Sequence, residues 1–311
     1  MSDYINQHWA DFRPYISVLI PFYNDDPSNL VTSLINDNNL KKEDIEIVVY
    51  DDGSNNDNIT NNIYKTIESM PIAGRLITET ENLGRSTARN RLSASARGEY
   101  LLFLDADMLP DQPTFLSQWI DLTKDTNPQV AFGGFSVLQA TTDPAYAVHR
   151  LLALKSDCLP AMERSKSPAK NLCTSNLLVH GDVLRENPFD QSFTGWGWED
   201  VEWAIRVNSR HDIHHPDISV THMGLDTVPV LINKYNQSAA NFVRMLENHP
   251  THVMTYPSYR VATIMLKLQI ARPARFLSHL LALNVWAPAI LRAYALKVYR
   301  AAVYAEQMRA G

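Results

Sequence analysis

Apolar residues in the first third of the chain come in short unbroken runs, not in alternation with polar ones. Residues 16–21 (Ile-Ser-Val-Leu-Ile-Pro), 45–50 (Ile-Glu-Ile-Val-Val-Tyr) and 99–104 (Glu-Tyr-Leu-Leu-Phe-Leu) each predict a buried strand. A weaker run at 75–78 adds another. Between these runs, 29–38 predicts a short helix, and 86–97 has Ala and Leu at helical spacing up to a stop at Gly98. The Asn/Asp-rich stretch 55–62 reads as a solvated turn entering a helix. Strands alternating with helices predict an α/β domain, its sheet mostly parallel and flanked by helices. Further on, 130–138 and 172–180 read as strands, 201–208 as a helix, and 218–221 as a short strand delivering His222. Charged residues 155–170, with Pro160 and Pro168, read as a loop or lid.

In such a sheet, ligands bind at the carboxyl ends of the strands. The three clearest strands end in polar clusters: Tyr23-Asn24, Asp51-Asp52, and Asp105 with Asp107. Two carboxylates one residue apart, as in Asp105-Ala-Asp107, can approach one hard divalent cation that bridges a nucleotide diphosphate. A plain turn is the commoner meaning of that pattern, and the strand before it favours the metal. Asp51-Asp52-Gly53-Ser54 reads as a strand-ending turn with Ser capping the next helix, or as a carboxylate for a nucleobase N–H. Both can hold.

Gly195-Trp-Gly-Trp-Glu-Asp200 is the most specific segment. Glycines on either side of Trp196 allow a tight backbone course that sets an aromatic face beside a ligand. Glu199 and Asp200 then open a helix whose N-terminal dipole favours an ionised carboxylate, which suits Asp200 as a general base. A helix cap with core tryptophans would explain the two acids but not the Gly-Trp-Gly-Trp run. His222 is a candidate to complete the shell of a metal held by Asp107, whereas His211, His214 and His215 are expected at the surface or in turns.

Composition changes this picture little. The 311 residues are 45% hydrophobic, 20% charged and 9% aromatic, ordinary for a globular protein. Two cysteines, Cys158 and Cys173, make neither a disulfide framework nor a CxxC metal site, so a reducing compartment is expected. Polar residues 1–14 lack the apolar segment of a secretory signal, and a cytoplasmic location is expected. No GxGxxG or phosphate-loop pattern occurs, which disfavours dinucleotide and ATP enzymes.

Charge changes it more. Net charge is −6, yet residues 258–311 hold eight Lys/Arg against Glu306 alone, leaving 20 basic and 33 acidic residues before them. An acidic body with basic residues only in an apolar tail argues against nucleic-acid binding. Residues 277–292 are apolar but broken by His279, Asn284, Pro288 and Arg292, short of the about 20 apolar residues of a spanning helix. Three readings of the tail stay open: interfacial helices on an anionic membrane, a homodimer interface, or packing on the catalytic domain.

Taken in order, Ser-Val-Leu-Ile-Pro-Phe-Tyr-Asn, Asp-Asp-Gly-Ser, Asn-Leu-Gly-Arg-Ser-Thr-Ala-Arg-Asn and Asp-Ala-Asp resemble the family 2 inverting glycosyltransferases of GT-A fold. The segment 171–222 is similar to the C-terminal part of β-1,4-galactosyltransferases and chondroitin-type polymerases. The resemblance implies a Rossmann-like GT-A catalytic domain at 1–255, with nucleotide-binding part 15–111 and acceptor and catalytic part 130–225. A basic amphipathic helical extension, 256–311, follows. It implies that Pro21 and Tyr23 line the nucleoside pocket, Tyr23 stacking on the base, that Asp52 reads uracil, and that Arg85 sits beside it. Asp105 would touch ribose or metal, and Asp107 and His222 would coordinate Mn²⁺ or Mg²⁺. The family's galactosyltransferases space their later metal ligands differently from His222. Trp196 and Glu199 would position sugar or acceptor, and Asp200 would be the base.

The implied activity is inverting, metal-dependent transfer of a hexose or N-acetylhexosamine from a UDP-sugar to a glycan or lipid-linked acceptor. UDP-galactose and UDP-N-acetylgalactosamine are the favoured donors, and the expected place is the cytoplasm, with peripheral attachment at the inner face of the membrane as one of the readings left open. The competing expectation is a non-catalytic carbohydrate- or nucleotide-sugar-binding protein, which would leave the Asp105/Asp107 pair without a use. A nucleotidyltransferase would need a basic, Gly-rich loop where the acidic 22–26 stands.

Overall fold

A computed structural model describes residues 2–9, 13–37 and 39–310. Asn38, the expected end of the first helix, lies outside the described residues, as do Met1, Ala10, Asp11, Phe12 and Gly311. The chain divides into two compact units, the first built from Met1–Ala140, Asp157–Ser192 and Trp203–Gly224. The second is built from Thr141–Ser156, Phe193–Glu202 and Leu225–Gly311, so the expected division after residue 255 falls inside it.

The first unit begins β1 (Ser2–Ile5), β2 (Ile16–Phe22), α1 (Ser28–Ile35), β3 (Ile45–Asp51), α2 (Asp57–Ser69), β4 (Ala73–Thr78), α3 (Arg85–Ser95) and β5 (Tyr100–Leu104). It continues β6 (Met108–Pro110), α4 (Phe115–Thr126), β7 (Val130–Phe132) and β8 (Phe135–Ser136). After α5 (Ala147–Ser156), which belongs to the second unit, come α6 (Ala161–Arg164), β9 (Asn176–His180) and α7 (Gly181–Glu186). Most of α8 (Glu199–Asn208), β10 (Ile213–His214) and β11 (Val220–His222) complete it.

Eight strands form one sheet in the order β1-β4-β3-β2-β5-β9-β7-β10. The four from β4 to β5 run parallel, β1 and β9 are antiparallel to their neighbours, and β10 is parallel to β7. The expected α/β architecture is therefore present. Its unbroken apolar runs have a simple cause: both faces are covered. Val18 and Ile20 of β2 pack with Leu30 and Leu34 of α1, while Leu19 packs in the opposite layer with Leu92 of α3. Ile47 and Val49 of β3 point one way and Val48 and Tyr50 the other, the two-residue alternation of a strand. Glu46, buried amid that run, accepts hydrogen bonds from Ser17 Oγ at 2.6 Å and Arg97 Nε at 2.7 Å.

Three expectations are corrected here. The run 130–138 is not one strand, because it breaks at Gly133 and Gly134. A Cβ at Gly133 would lie 2.3 Å from the Ile218 carbonyl oxygen, and Gly134 takes φ +91°. The pieces join different sheets: β7 the large one, β8 a small sheet ordered β6-β11-β8. Nor is 155–170 a free lid. The Arg164 guanidinium is buried and donates to the carbonyls of Leu159, Gly133 and Pro216 at 2.6, 3.2 and 2.6 Å. His215, expected at the surface, is buried beside Arg164 and Phe132.

The second unit is helical: α5, the first turn of α8, α9 (Val228–Asn248), α10 (Pro250–Val253), α11 (Pro257–Lys267), α12 (Ala271–Leu283) and α13 (Ala289–Ala310). Its core joins α9 to α13, with Phe242 stacked on Tyr304 at a centroid distance of 4.1 Å. Small buried residues of α13, among them Ala293, Ala301 and Ala305, allow close packing. Among the described residues no helix is long and apolar enough to cross a membrane.

Candidate active site

Asp105 and Asp107 lie between the end of β5 and the start of β6, where the chain passes from the large sheet to the small one. Antiparallel pairing of β11 with β6 sets His222 opposite Met108, and the Met223 N–H donates to the Asp107 carbonyl at 2.9 Å. This register brings His222 Nε2 to 3.1 Å from Asp107 Oδ2. Gly224 passes so close that a Cβ there would lie 2.0 Å from the same oxygen.

A carboxylate oxygen suits either Mn²⁺ or Mg²⁺, an imidazole nitrogen beside it suits the transition ion better, and their spacing fits neighbouring ligands of one ion with bonds of about 2.1 Å. Among the described residues no group of three His, Cys, Asp or Glu is arranged to hold an ion. Asp25, which the sequence did not single out, belongs to the same neighbourhood. Burial first, and then the Asp107 carboxylate, push its pKa above the ordinary range.

Asp105 is engaged differently. Its Oδ1 accepts from Arg89 at 3.2 Å, and its Oδ2 accepts from Ser175 Oγ at 2.7 Å and Arg85 at 3.5 Å. Leu104 faces Asn176 across β5 and β9, which puts the next residue, Asp105, beside Ser175. Burial opposes ionisation of Asp105, but the Arg89 and Arg85 guanidiniums outweigh it and hold the pKa below the usual carboxylate value. Arg89 and Ser175 were not singled out either. For Arg89 the signal was present, one helical turn after Arg85 on α3.

The residues expected on the nucleotide side form a connected set. Asp52 accepts from the Leu83 N–H at 2.9 Å and the Gly84 N–H at 3.0 Å, tying the end of β3 to the start of α3. Burial raises its pKa, against the pull of those two N–H groups. Asp51 accepts from the Ser54 N–H at 2.7 Å, and Ser54 Oγ in turn accepts from the Asn24 N–H at 2.6 Å. Gly53 is required here: φ is +80°, and a Cβ would meet the Glu81 carbonyl carbon at 2.4 Å. Pro21 faces Tyr50 across β2 and β3, and Tyr23 beyond it is half exposed. Asp52, Arg85 and Asp105 are thus joined through the Leu83-Gly84-Arg85 backbone, with Tyr23 on the neighbouring loop.

Within the second unit, Gly195, Gly197 and Trp198 have φ of +74°, +87° and +80°, and α8 opens at Glu199. Asn241 holds the bend by donating to the carbonyls of Thr194 and Gly197, both at 2.9 Å. Trp196 lies near Tyr235 and the Lys234 ammonium. Trp198 is the clamped member of the pair: its Nε1 donates to Tyr304 Oη at 3.1 Å and its ring stacks on Tyr256. Glu199 is buried and Asp200 half-buried.

Residues 17–182, more than half of the chain, match the model for glycosyl transferase family 2. Among curated proteins, glycosyltransferase AglE of Haloferax volcanii is 28% identical over 202 residues, 62% of this chain and 61% of the relative. The poly(ribitol-phosphate) beta-glucosyltransferase of Bacillus spizizenii is 31% identical over 122 residues, 38% of this chain and 18% of the relative. The aligned region thus spans less than two thirds of either relative's length. Among solved structures, the mannosyltransferase PcManGT from Pyrobaculum calidifontis, in complex with GDP-Man and Mn²⁺, superposes with a TM-score of 0.63 at 18% identity. That likeness covers 94% of this chain and 86% of that one. TarS from S. aureus in complex with UDP gives a TM-score of 0.52 at 14% identity over 95% and 90% of the two chains. The family model matches more than half of the chain, so the chain belongs to glycosyl transferase family 2.

Proposed function

We propose that this glycosyltransferase moves a hexose or N-acetylhexosamine from a UDP-sugar to a hydroxyl of a glycan or lipid-linked acceptor, with a divalent metal and with inversion. UDP-galactose and UDP-N-acetylgalactosamine are the donors to test first. The observation that carries the reading is the approach of His222 Nε2 to Asp107 Oδ2 at 3.1 Å. Structures of like fold hold GDP-Man with Mn²⁺ in one case and UDP in another, which supports a nucleotide-sugar donor.

Asp107 and His222 would hold Mn²⁺ or Mg²⁺, an ion that when bound offsets the charge developing on a departing diphosphate. Asp105, kept ionised by Arg89 and Arg85, accepts from the ribose hydroxyls. Asp52 accepts from the uracil N–H with lone pairs left over from its two backbone partners, because each carboxylate oxygen offers more than one acceptor site. Tyr23 stacks on the base, Pro21 walls the pocket, and Arg85 sits alongside. Trp196 and Glu199 position sugar and acceptor. Asp200 takes the proton from the acceptor hydroxyl as that oxygen attacks the anomeric carbon on the face opposite the departing UDP.

The test is a donor screen in the presence of Mn²⁺, with proton NMR of the first product formed. Transfer from an α-linked UDP-sugar should give a β-glycoside. An α-glycoside as the first product contradicts the inverting assignment, and turnover only with GDP-sugars contradicts the donor.

A further inference from the structure

The last three helices carry an apolar face that nothing in the described chain covers. On α12, Phe276 and Leu277 are each 63% exposed and Leu280 follows on the same side. At the turn into α13, Val285 is 73% and Trp286 91% exposed. Ile290, Leu291, Tyr294 and Val298 extend the face along α13, at the three- and four-residue spacing of one side of a helix. The opposite side of α13, with Leu296, Tyr299 and Tyr304, is buried. Between α12 and α13 an apolar groove of about 340 Å³, lined by Leu277, Leu281, Leu291, Tyr294 and Val298, opens to the outside. An uncovered face of this kind marks an interaction surface.

Charge selects the occupant. Arg260, Lys267, Arg272 and Lys297 are exposed on the same three helices, and Arg272 stands one turn from Phe276. The only acid from Pro257 to Ala310 is Glu306, which is paired with Arg275. A second copy seated face to face would bring two basic rims together. Anionic headgroups would neutralise the rim, and their acyl chains would fill the groove and receive the Trp286 indole.

We propose that α11, α12 and α13 dock this glycosyltransferase on an anionic lipid bilayer, with the α12–α13 turn at Trp286 entering first. The inference is independent of the identity of the donor sugar. Each basic residue near such a surface strengthens partitioning about five-fold, so a few suffice for reversible attachment.

The test is co-sedimentation of the full chain with vesicles of phosphatidylcholine alone or mixed with phosphatidylglycerol. The protein should pellet with the mixed vesicles, leave them in high salt, and ignore phosphatidylcholine alone. Lys267→Glu with Arg272→Glu should abolish pelleting, as should Phe276→Ser with Trp286→Ser. These side chains are exposed, so circular dichroism should show both variants folded. A protein that stays in the supernatant with both vesicle types overturns the proposal. So does light scattering that finds a dimer converted to monomer by the Phe276/Trp286 variant, because the face is then covered by a second copy.

Discussion

His222 and Asp107 stand 115 positions apart in the chain, yet their side chains meet at 3.1 Å, Nε2 to Oδ2. The pairing of β11 with β6 produces this meeting, and Gly224 leaves room for it. Gly224→Ala puts a methyl carbon 2.0 Å from Asp107 Oδ2, so the carboxylate must turn away. Mn²⁺ affinity should fall about 10–100-fold, the usual effect of disturbing a metal ligand's support. Isothermal titration with Mn²⁺ and UDP together measures it, and unchanged affinity removes Asp107 from the metal.

Asp200→Asn keeps the shape of the first turn of α8 but removes the carboxylate proposed as proton acceptor. Turnover should drop about 10²–10⁴-fold while the donor dissociation constant stays within about two-fold. Steady-state kinetics alongside UDP-sugar binding separates these effects. A variant that turns over normally would assign the proton to another group.

Tyr304 Oη joins Trp198 Nε1 at 3.1 Å and Ser238 Oγ at 3.0 Å. Tyr304→Phe takes the acceptor from Trp198 Nε1, whereas Ser238 Oγ keeps its bond to the Tyr235 carbonyl, and the change should cost about 1–2 kcal/mol of stability. A lower urea midpoint with unchanged slope would show it. The left-handed φ of Trp198 adds a further expectation: turnover should fall more than donor binding, because the segment carrying Glu199 and Asp200 loses its anchor.

His215 is held neutral. Burial is the main cause, followed by the positive charge of Arg164, and together they push its pKa from 6.5 down to about 4. The hydrogen bonds agree: Nδ1 accepts from Arg164 Nε, which leaves Nε2 to carry the proton and donate to the Pro168 carbonyl. The bond to the Pro168 carbonyl pulls the other way, His214 adds a small push in the same direction as Arg164, and Asp217 pairs with Arg164. Between about pH 6.5 and 4 the unfolded chain binds a proton here that the folded chain does not. Stability from this residue is therefore complete above about 6.5, falls as the pH drops through that window, and levels off below about 4. An NMR titration that finds His215 protonating near 6.5 in the folded protein would refute it.

Much of the first unit was legible because a strand buried on both faces writes an unbroken apolar run, as 16–21, 45–50 and 99–104 do. Asp52, Arg85, Asp105 and Asp107 stood out because each follows such a run or opens the helix after it. What stayed hidden depended on contacts distant in sequence. Ser175 meets Asp105 only through the register of β9 with β5, and Gly224 meets Asp107 only through β11. Asp25 was read merely as part of an acidic loop. The second unit was the least legible, because α9 and α13 are held by Phe242, Tyr304 and a row of alanines that no local pattern links.

If Asp107 and His222 hold the donor's nucleotide through a divalent ion, UDP binding depends on both the ion and the Asp107 carboxylate. Calorimetric titration of UDP into the unaltered protein with Mn²⁺, then with EDTA, then into Asp107→Ala with Mn²⁺, tests it most directly. Binding should be strong in the first titration and weakened at least about ten-fold, or about 1.4 kcal/mol, in the other two. Equal UDP affinity in all three would contradict the account.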